Sequence, residues 1–387
     1  MMISMAEKPT INFGLEGVYV DESSISLVDG INGKLWYRGY SIDDLAEKSN
    51  FEEAVYLLIY GKLPNKSELD AFKTKLADRM ELPQEVVDLI KLISGRTHPM
   101  DVMRTAASML SVYDPDPLNR DRDATLDKII TLLARLPLIA ALTGRFRRGL
   151  SQIKPDKSLS LPSNFLYVLN GKKPNDFDAK LIDLMFILHA EHSTNASTFS
   201  VLVTASTLAD VYSAVTTGIG TLRGPLHGGA DEAALKMMYA IGSPDNTEHY
   251  IEEALEGKKK IMGFGHRIYK VYDPRAKIVR RYLDESLTRE PTDEVETLLK
   301  IAIRAEKMMI DKLGKTKGIW PNIDFFSGPL YRVLGIESEL FTPIFVSSRM
   351  AGWGAHILEY WNNNKLFRPL EYYSGSIGNK YIPIEER

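Results

Sequence analysis

Apolar residues recur at helical spacing along most of the chain after residue 50. The first such segment begins at Asn50, which has an acidic residue three positions later as in a helix N-cap, and it ends at Gly61. The same start signal recurs at Asn65. Further periodic stretches are predicted as helices at 84–94, 98–113, 123–149, 178–193, 198–221, 229–241, 247–256, 274–288, 293–313, 326–334 and 341–362. No alternation of strand and helix patterns interrupts them, so the sequence predicts a mostly all-α fold.

A short β-prone region precedes the helical part of the chain. Ile25–Val28 and Lys34–Tyr37 flank the segment Asp29–Gly33, which is rich in turn-forming residues. This pattern predicts a small hairpin at 25–38. Because the rest of the chain has helical spacing, we expect the hairpin to be a minor element beside the helices.

The composition limits the function classes to which the chain can belong. Its 387 residues are 44% hydrophobic and 26% charged, which is ordinary for a globular protein with a large core or two domains. The net charge of -3 argues against a nucleic-acid partner, and the absence of cysteine excludes disulfides and thiolate chemistry. Residues 1–13 show no signal-peptide pattern, and no uninterrupted apolar stretch approaches the about 18 residues of a membrane span. We therefore expect a soluble, cytoplasmic protein without a membrane partner.

Three short segments each hold one titratable side chain among glycines or near a proline. They are Gly224–Gly229 with His227, Gly263–Arg267 with His266, and Pro321–Asp324 with Asp324. Glycine and proline permit unusual backbone shapes and the close approach of a ligand, so these side chains have the character of acid/base groups. The glycines after His227 predict that a new helix starts near Ala230, and the N-terminus of that helix would lower the pKa of the His227 imidazole. A simple tight turn fits the pattern equally. Desolvation would raise the basicity of Asp324. Alternatively, Asp324 could simply be the N-cap of the next helix, with no role as a base.

The predicted helix at 178–193 places His189 and His192 on its apolar stripe, so both are expected to face inward. Hydrogen-bonded core histidines are one interpretation. A zinc site is the alternative, but the pair lacks a third ligand at a useful spacing.

The loop Ile261–His266 is rich in glycine and follows the basic run Lys258–Lys260. It lacks the third glycine of a dinucleotide-binding fold and the Gly-Lys-Ser/Thr of a P-loop. The lysines fit a solvated face, or a site that attracts a polyanionic cofactor whose adenine contacts the loop.

Arginines supply a further signal. Arg275 follows His266 closely, Arg349 lies on an apolar helix face, and Arg368 precedes a proline after that helix. A buried arginine needs an anionic partner, and several together indicate a di- or tricarboxylate ligand. Structural salt bridges are the alternative for each of them.

Taken together, these segments resemble the citrate synthase family over nearly the whole chain. The matching segments are Leu15–Gly17, Tyr37–Ile42, Tyr60–Pro64, His98–Met100, His189–His192, Asn195–Thr198, Gly224–Gly229, Gly263–Arg267, Tyr272–Ala276, Pro321–Asp324, Ser348–Arg349 and Arg368–Pro369. The resemblance implies a mostly α-helical homodimer of the compact dimeric branch, with two domains that close over substrate. The large domain would comprise residues 1–227 and 329–387, and the small domain residues 228–328.

The resemblance also implies roles for individual residues. Asp324 would be the base that deprotonates acetyl-CoA, His227 the neutral donor to the enolate oxygen, and His266 the donor to the carbonyl oxygen of oxaloacetate. The residues that would hold oxaloacetate are His192, His266, Arg275, Arg349 and, from the other subunit, Arg368. The residues that would contact CoA are Ile261, Met262, Gly263, Phe264 and Gly265, with Lys270 a further candidate for its phosphates. No metal and no permanently bound cofactor is implied.

Two alternatives to citrate synthase itself are open. A 2-methylcitrate synthase would use propionyl-CoA with the same residues, and one methylene is worth only about 1–3 kcal/mol of discrimination, so no motif decides between them. A non-catalytic acyl-CoA-binding homologue is disfavoured, because it should have lost some of the residues named above.

Overall fold

The computed structural model describes residues 9–387, which form helices with one small sheet. The helices are α1 (Ile42–Lys48), α2 (Phe51–Tyr60), α3 (Lys66–Arg79), α4 (Gln84–Ile93), α5 (Pro99–Met109), α6 (Arg122–Arg147), α7 (Leu161–Asn170), α8 (Asp176–His189), α9 (Ala196–Ser206), α10 (Val211–Leu222), α11 (Ala230–Ile241), α12 (Thr247–Glu256), α13 (Pro274–Leu287), α14 (Asp293–Met309), α15 (Lys315–Lys317), α16 (Ile323–Val333) and α17 (Phe341–Tyr360). The predicted mostly all-α class is confirmed.

The predicted hairpin is also confirmed. Strands β1 (Ser26–Asp29) and β2 (Lys34–Tyr37) pair antiparallel, with Ser26 opposite Tyr37. A third strand that the sequence pattern did not reveal, β3 (Tyr40–Ser41), pairs with β2. The sheet therefore has the order β1-β2-β3 and stays small beside the helices.

The predicted capping signals act as expected. The Asn50 side chain accepts from the backbone of Glu53 and starts α2, which ends at Gly61 with a φ of 78°. Asn65 and Glu68 form a reciprocal capping box at the start of α3. Because each cap satisfies backbone groups that the helix itself leaves unpaired, short polar signals place these boundaries well.

One predicted helix was wrong, and α1, α7 and α15 were not predicted. The stretch 198–221 is not one helix, because the chain leaves α9 after Ser206 and Leu208 adopts a φ of 63°. Asp210 then caps α10 by accepting from the backbone of Ser213 at 2.8 Å. The helix α7 was missed, because the polar segment before it extends to the proline in its own first turn.

Helix α6 lies in the core and packs against α7 and α17. Within the described part of the chain it is the single helix long and apolar enough to cross a membrane, but 83% of that apolar window is buried inside the protein. Its apolar surface therefore contacts the rest of the fold. Helix α17 also lies in the core and holds the fully buried Trp353.

Helix α16 packs against α11, α13 and α14. The close packing of α16 on α11 favours a glycine, since a Cβ at Gly328 would lie 3.0 Å from the Leu235 Cβ, a tight contact. The start of α16 and the segment before α11 carry two of the predicted site residues, so this packing fixes their relative placement.

Candidate active site

Asp324 is the second residue of α16, and Asn322 is the N-cap of that helix. The Asn322 side chain accepts from the backbone N–H of Asp324 at 3.1 Å, so the interpretation of Asp324 as an N-cap is wrong. Burial raises the pKa of the Asp324 carboxyl to about 6, while the positive charge of Arg275 acts against the increase. Asp324 can therefore exchange a proton close to neutral pH.

A second buried carboxyl, Asp231, lies on α11 beside Asp324. Burial, and next the charge of Asp324, raise the pKa of Asp231 well above its usual value. Its Oδ1 accepts from the backbone N–H of Glu232 at 2.7 Å. The sequence signals did not single out Asp231, because nothing in its immediate sequence places it next to α16.

The glycine-rich loop is attached to the start of α16 by backbone hydrogen bonds. The Asn322 N–H donates to the carbonyl of Gly263 at 2.9 Å, and the Gly265 N–H donates to the carbonyl of Trp320 at 2.8 Å. Gly263 has a φ of 78°, and a Cβ there would lie 2.6 Å from that of Phe325. This position therefore requires glycine, and the loop that carries His266 is held next to Asp324.

The His266 ring is oriented by its own backbone. Its Nδ1 accepts from the N–H groups of Ile268 and Tyr269, each at 3.1 Å. A neutral ring with this acceptor carries its proton on Nε2, which can then donate to a ligand. Burial, reinforced by the charge of Arg275, lowers the pKa of His266 to about 4, so the neutral form prevails at physiological pH.

His227 lies between α10 and α11, as the sequence predicted. The helix N-terminus that its ring contacts belongs to α9, however: Nε2 accepts from the Ser197 N–H at 3.3 Å and lies 2.9 Å from the Ser197 Oγ. Burial, followed by the charge of Arg349, lowers the pKa of His227 to about 4. The ring is thus a neutral imidazole whose Nδ1 bears the proton.

The two histidines at the end of α8 are buried, as predicted, but α8 stops at His189 and His192 lies beyond it. His189 Nδ1 lies 2.7 Å from the Met185 carbonyl, which is a core hydrogen bond. The His192 ring centroid lies 5.5 Å from that of His266. Among residues 9–387, no group of three or more histidine, cysteine, aspartate or glutamate side chains is arranged for a metal ion.

Arg349 is only 1% exposed. Its Nε donates to the His189 carbonyl at 2.8 Å, and its guanidinium lies 4.7 Å from the centre of the Phe345 ring. No carboxylate in residues 9–387 forms an ion pair with it. Burial lowers the pKa of Arg349 to about 10, so the group still carries its charge. The buried carboxylate of Glu191 acts on this charge from beyond ion-pair distance and is itself paired with His356, so the guanidinium can still bind an anionic ligand.

Arg275 is also buried, but it has a carboxylate partner. Its Nη2 and Nε bind Asp273 Oδ2 and Oδ1 at 2.8 and 3.1 Å, and this pair raises the pKa of the guanidinium against the effect of burial. Asp273 Oδ2 also accepts from the Ile323 N–H at 3.3 Å. The alternative of a structural salt bridge is therefore confirmed for Arg275. Its charge also acts to lower the pKa of Asp324, which burial raises.

The remaining predicted residues lie at the surface or at its edge. Arg368 is exposed after α17, donates to the Pro369 carbonyl at 2.5 Å, and is not brought to the cluster within one chain. Lys270 is exposed and donates to the Arg267 carbonyl at 3.1 Å. In the loop, Ile261 and Phe264 are buried beside the partly buried Met262.

Other charged residues near the core have structural contacts. His98 caps α5 through the Met100 N–H at 3.1 Å. The arginines at the end of α6 bind backbone carbonyls and the glutamates before α17: Arg145 to Ser151, Arg147 to Ser94, Thr97 and Glu339, and Arg148 to Gly335 and Glu337. Arg104 pairs with Asp101 at 3.1 Å at the surface.

The chain is similar to known proteins along most of its length. The model of the family "Citrate synthase, C-terminal domain" matches residues 14–370. Citrate synthase 2 of Bacillus subtilis is 44% identical, over 98% of this chain and 100% of its own length. A 2-methylcitrate synthase of Corynebacterium glutamicum is 40% identical, over 97% of this chain and 98% of its own length.

Solved structures give the same result. Citrate synthase from Pyrobaculum aerophilum is 39% identical and superposes with a TM-score of 0.92, over 97% of this chain and 95% of that one. A ternary complex of Thermoplasma acidophilum citrate synthase with carboxymethyl coenzyme A and oxaloacetate is 33% identical, with a TM-score of 0.92 over 98% of this chain and 100% of that one.

Proposed function

Since the chain belongs to the citrate synthase family, and is an acyltransferase of that type, we propose that it condenses acetyl-CoA with oxaloacetate and hydrolyses citryl-CoA to citrate and CoA. This reaction is the entry step of the tricarboxylic acid cycle. The observation that carries the proposal is Arg349, a buried cation with no carboxylate at ion-pair distance in the described chain. Its charge acts on the neutral rings of His192 and His227. A dicarboxylate such as oxaloacetate supplies the missing charge.

The first step is proton abstraction. Asp324 takes a proton from the methyl group of acetyl-CoA, and the electron pair of that C–H bond forms the enolate. His227 donates a hydrogen bond from Nδ1 to the enolate oxygen, because its Nε2 is engaged by Ser197. A preorganised donor at a developing oxyanion contributes about 3–4 kcal/mol of transition-state stabilisation.

The second step forms the carbon–carbon bond. The enolate carbon attacks the ketone carbon of oxaloacetate while the Nε2–H of His266 donates a hydrogen bond to the ketone oxygen. That oxygen takes up one proton to become a hydroxyl, which balances the proton that Asp324 removed from the methyl group. Water then cleaves the citryl thioester and releases citrate and the CoA thiol. Closure of the two domains, 1–227 with 329–387 and 228–328, would exclude bulk water until this hydrolysis.

The substrate carboxylates would be bound by His192, Arg275, Arg349 and the other subunit's copy of residue 368. The loop residues Ile261, Met262, Gly263, Phe264 and Gly265 would contact the adenine of CoA, with Lys270 near its phosphates. The Gly263 and Gly265 backbone conformations, with φ values of 78° and 81°, support close approach of a ligand. The proposed chemistry needs no metal, and we place the protein in the cytoplasm.

A second candidate function is the synthesis of 2-methylcitrate from propionyl-CoA, which the similarity to 2-methylcitrate synthases favours. With saturating oxaloacetate, we expect kcat/KM for acetyl-CoA to exceed that for propionyl-CoA by about 10-fold or more. A thiol reagent measures released CoA directly, because the protein has no cysteine. Equal or faster turnover of propionyl-CoA would establish the second function instead, and no turnover of either would reject both.

The acidic side of the pH profile should be set by Asp324. Its pKa of about 6 means that kcat/KM should be constant above about pH 7 and fall about tenfold per unit below pH 6, since the protonated carboxyl cannot accept a proton. His227 and His266, with pKa values lowered to about 4, stay neutral through this range. Initial rates measured across this pH range test the prediction. As a control, enzyme exposed to acidic pH is returned to neutral pH and should regain full activity, which shows that it stays folded. A profile flat down to about pH 5 would contradict the assignment of Asp324 as the base.

A homodimer is supported by large apolar side chains exposed at both ends of the described chain. Phe13, Tyr19, Leu370, Ile377 and Tyr381 are all at least 77% exposed. Several large exposed apolar side chains in one segment are typical of a protein–protein contact. Leu370, Ile377 and Tyr381 follow Arg368 in the chain, which fits an arm that crosses to the partner subunit.

The crossing can be tested by mixing two inactive variants, Arg368→Ala and Asp324→Asn. If Arg368 acts across the interface, each heterodimer contains one site with both residues intact. Coexpression should then restore about a quarter of the wild-type activity for a random mixture. Each homodimer alone is the control. No recovery in heterodimers isolated by two affinity tags would show that Arg368 acts within its own subunit, and an active Arg368→Ala homodimer would show that it is not needed.

A further inference from the structure

Tyr269 contacts both of the closely spaced histidines. Its hydroxyl lies 3.2 Å from His192 Nε2, and its backbone N–H donates to His266 Nδ1 at 3.1 Å. The Tyr269 ring centroid lies 5.5 Å from that of His192 and 4.8 Å from that of His266. One residue that is only 2% exposed thus joins the loop after α12 to the segment after α8.

The protonation of both groups follows from the surroundings. Burial raises the pKa of the Tyr269 phenol, so it keeps its proton. Burial, followed by the charge of Arg275, lowers the pKa of His192 well below its usual value, so its ring is neutral. Two arrangements fit a neutral pair: the phenol donates to Nε2 and the ring proton is on Nδ1, or Nε2–H donates to the phenol oxygen. The other charged or titratable groups that act on His192 are His266, Arg349 and His189.

The segment with Tyr269 is fixed from its other side by the turn of the N-terminal hairpin. The Lys270 N–H donates to the Gly30 carbonyl at 2.8 Å. A Cβ at Gly30 would lie 2.3 Å from the carbonyl oxygen of Ile268, so only glycine allows this approach. Tyr269 thus lies where three separate parts of the chain meet, with its hydroxyl directed at a histidine.

We propose that Tyr269 is a positioning residue. Its hydroxyl donates to His192 Nε2 and places that ring's proton on Nδ1, and its ring sets the spacing of His192 and His266, so that each histidine presents one N–H to the same oxaloacetate. The inference rests on the proposed function, since oxaloacetate is the ligand in question. Tyr269 acts through the histidines and takes no part in bond making.

The test is Tyr269→Phe, which removes the hydroxyl and keeps the buried ring. We expect KM for oxaloacetate to rise about 3- to 10-fold, with kcat and KM for acetyl-CoA changed less than about twofold. The matched control is Tyr272→Phe, because the Tyr272 hydroxyl binds Glu306, away from the histidines. An unchanged KM for oxaloacetate, or an equal rise in the control, would overturn the proposal.

A double-mutant cycle tests whether the effect passes through His192. In a His192→Asn background, Tyr269→Phe should cause no further rise in KM, because the acceptor is already lost. Full additivity of the two substitutions would overturn the proposal.

A spectroscopic test does not depend on activity. In protein with ¹⁵N-labelled histidine, Tyr269→Phe should shift the imidazole nitrogen resonances of His192 and leave those of His189 in place. Unshifted His192 resonances would overturn the proposal. Lack of wild-type activity with both acyl-CoAs would instead reject the proposed function, and the resonances would still report whether Tyr269 sets the His192 proton.

Discussion

Replacing Asp324 with asparagine is expected to lower kcat by about 10²- to 10⁴-fold, the contribution of a positioned general base. Asparagine keeps the size of the side chain and cannot accept a proton. The fold should persist in this variant, because the cap of α16 is a bond between the Asn322 side chain and the backbone N–H of residue 324. The Asp324 side chain takes no part in that bond. Steady-state rates with acetyl-CoA measure kcat, and calorimetric titration with oxaloacetate should show binding within about threefold of wild type.

The matched control for this prediction is Asp231→Asn. Asp231 is another buried carboxyl next to Asp324, and burial raises its pKa so that it favours the neutral form. Asparagine is also neutral and of similar shape, so kcat should stay close to the wild-type value. Retention of kcat in Asp324→Asn, or an equal loss in both variants, would show that Asp324 is not the specific base.

Replacing His227 with alanine is expected to lower kcat by about 10²- to 10³-fold, as for the loss of one donor to an oxyanion. Ser197 binds Nε2 of the His227 ring, so the proton of the neutral ring is on Nδ1 and can donate to the enolate oxygen. Alanine removes this donor. The loss should be in kcat at saturating oxaloacetate, because the enolate oxygen exists only after proton abstraction. Single-turnover measurements of the condensation step would show the effect directly.

His98→Asn serves as the control for His227, because His98 is another histidine with a lowered pKa and its capping bond can be replaced by asparagine. Its kcat should match the wild type. A loss of less than about threefold in His227→Ala would remove His227 from the mechanism, and the oxyanion would need another donor.

The sequence predicted most helices because caps and periodicity are local signals. Asn50 and Asn65 start their helices through side-chain bonds to residues three positions away. The break between α9 and α10 was missed because apolar spacing continues through Leu208, whose left-handed backbone leaves no trace in that spacing. Local patterns therefore determine helical content better than helix boundaries.

The site was predicted one residue at a time, and the contacts between those residues were not. Ser197 binds His227 from 30 positions away, and Tyr269 reaches His192 across 77. Such contacts depend on how helices pack, which periodicity does not specify. The sequence pattern indicated the start of α11 as the helix N-terminus beside His227, but the ring contacts the start of α9, a helix distant in sequence from the loop.

Asp273 has a consequence for how this site can change over generations. The same carboxylate binds the Arg275 guanidinium and the N–H of Ile323, which immediately precedes Asp324. Any inherited change that moves Arg275 toward a new anion therefore also disturbs the start of the helix that carries Asp324. Anion preference and proton abstraction should evolve together, so new ligands are more readily acquired through the loop at 261–265 or the exposed Arg368 than through Arg275.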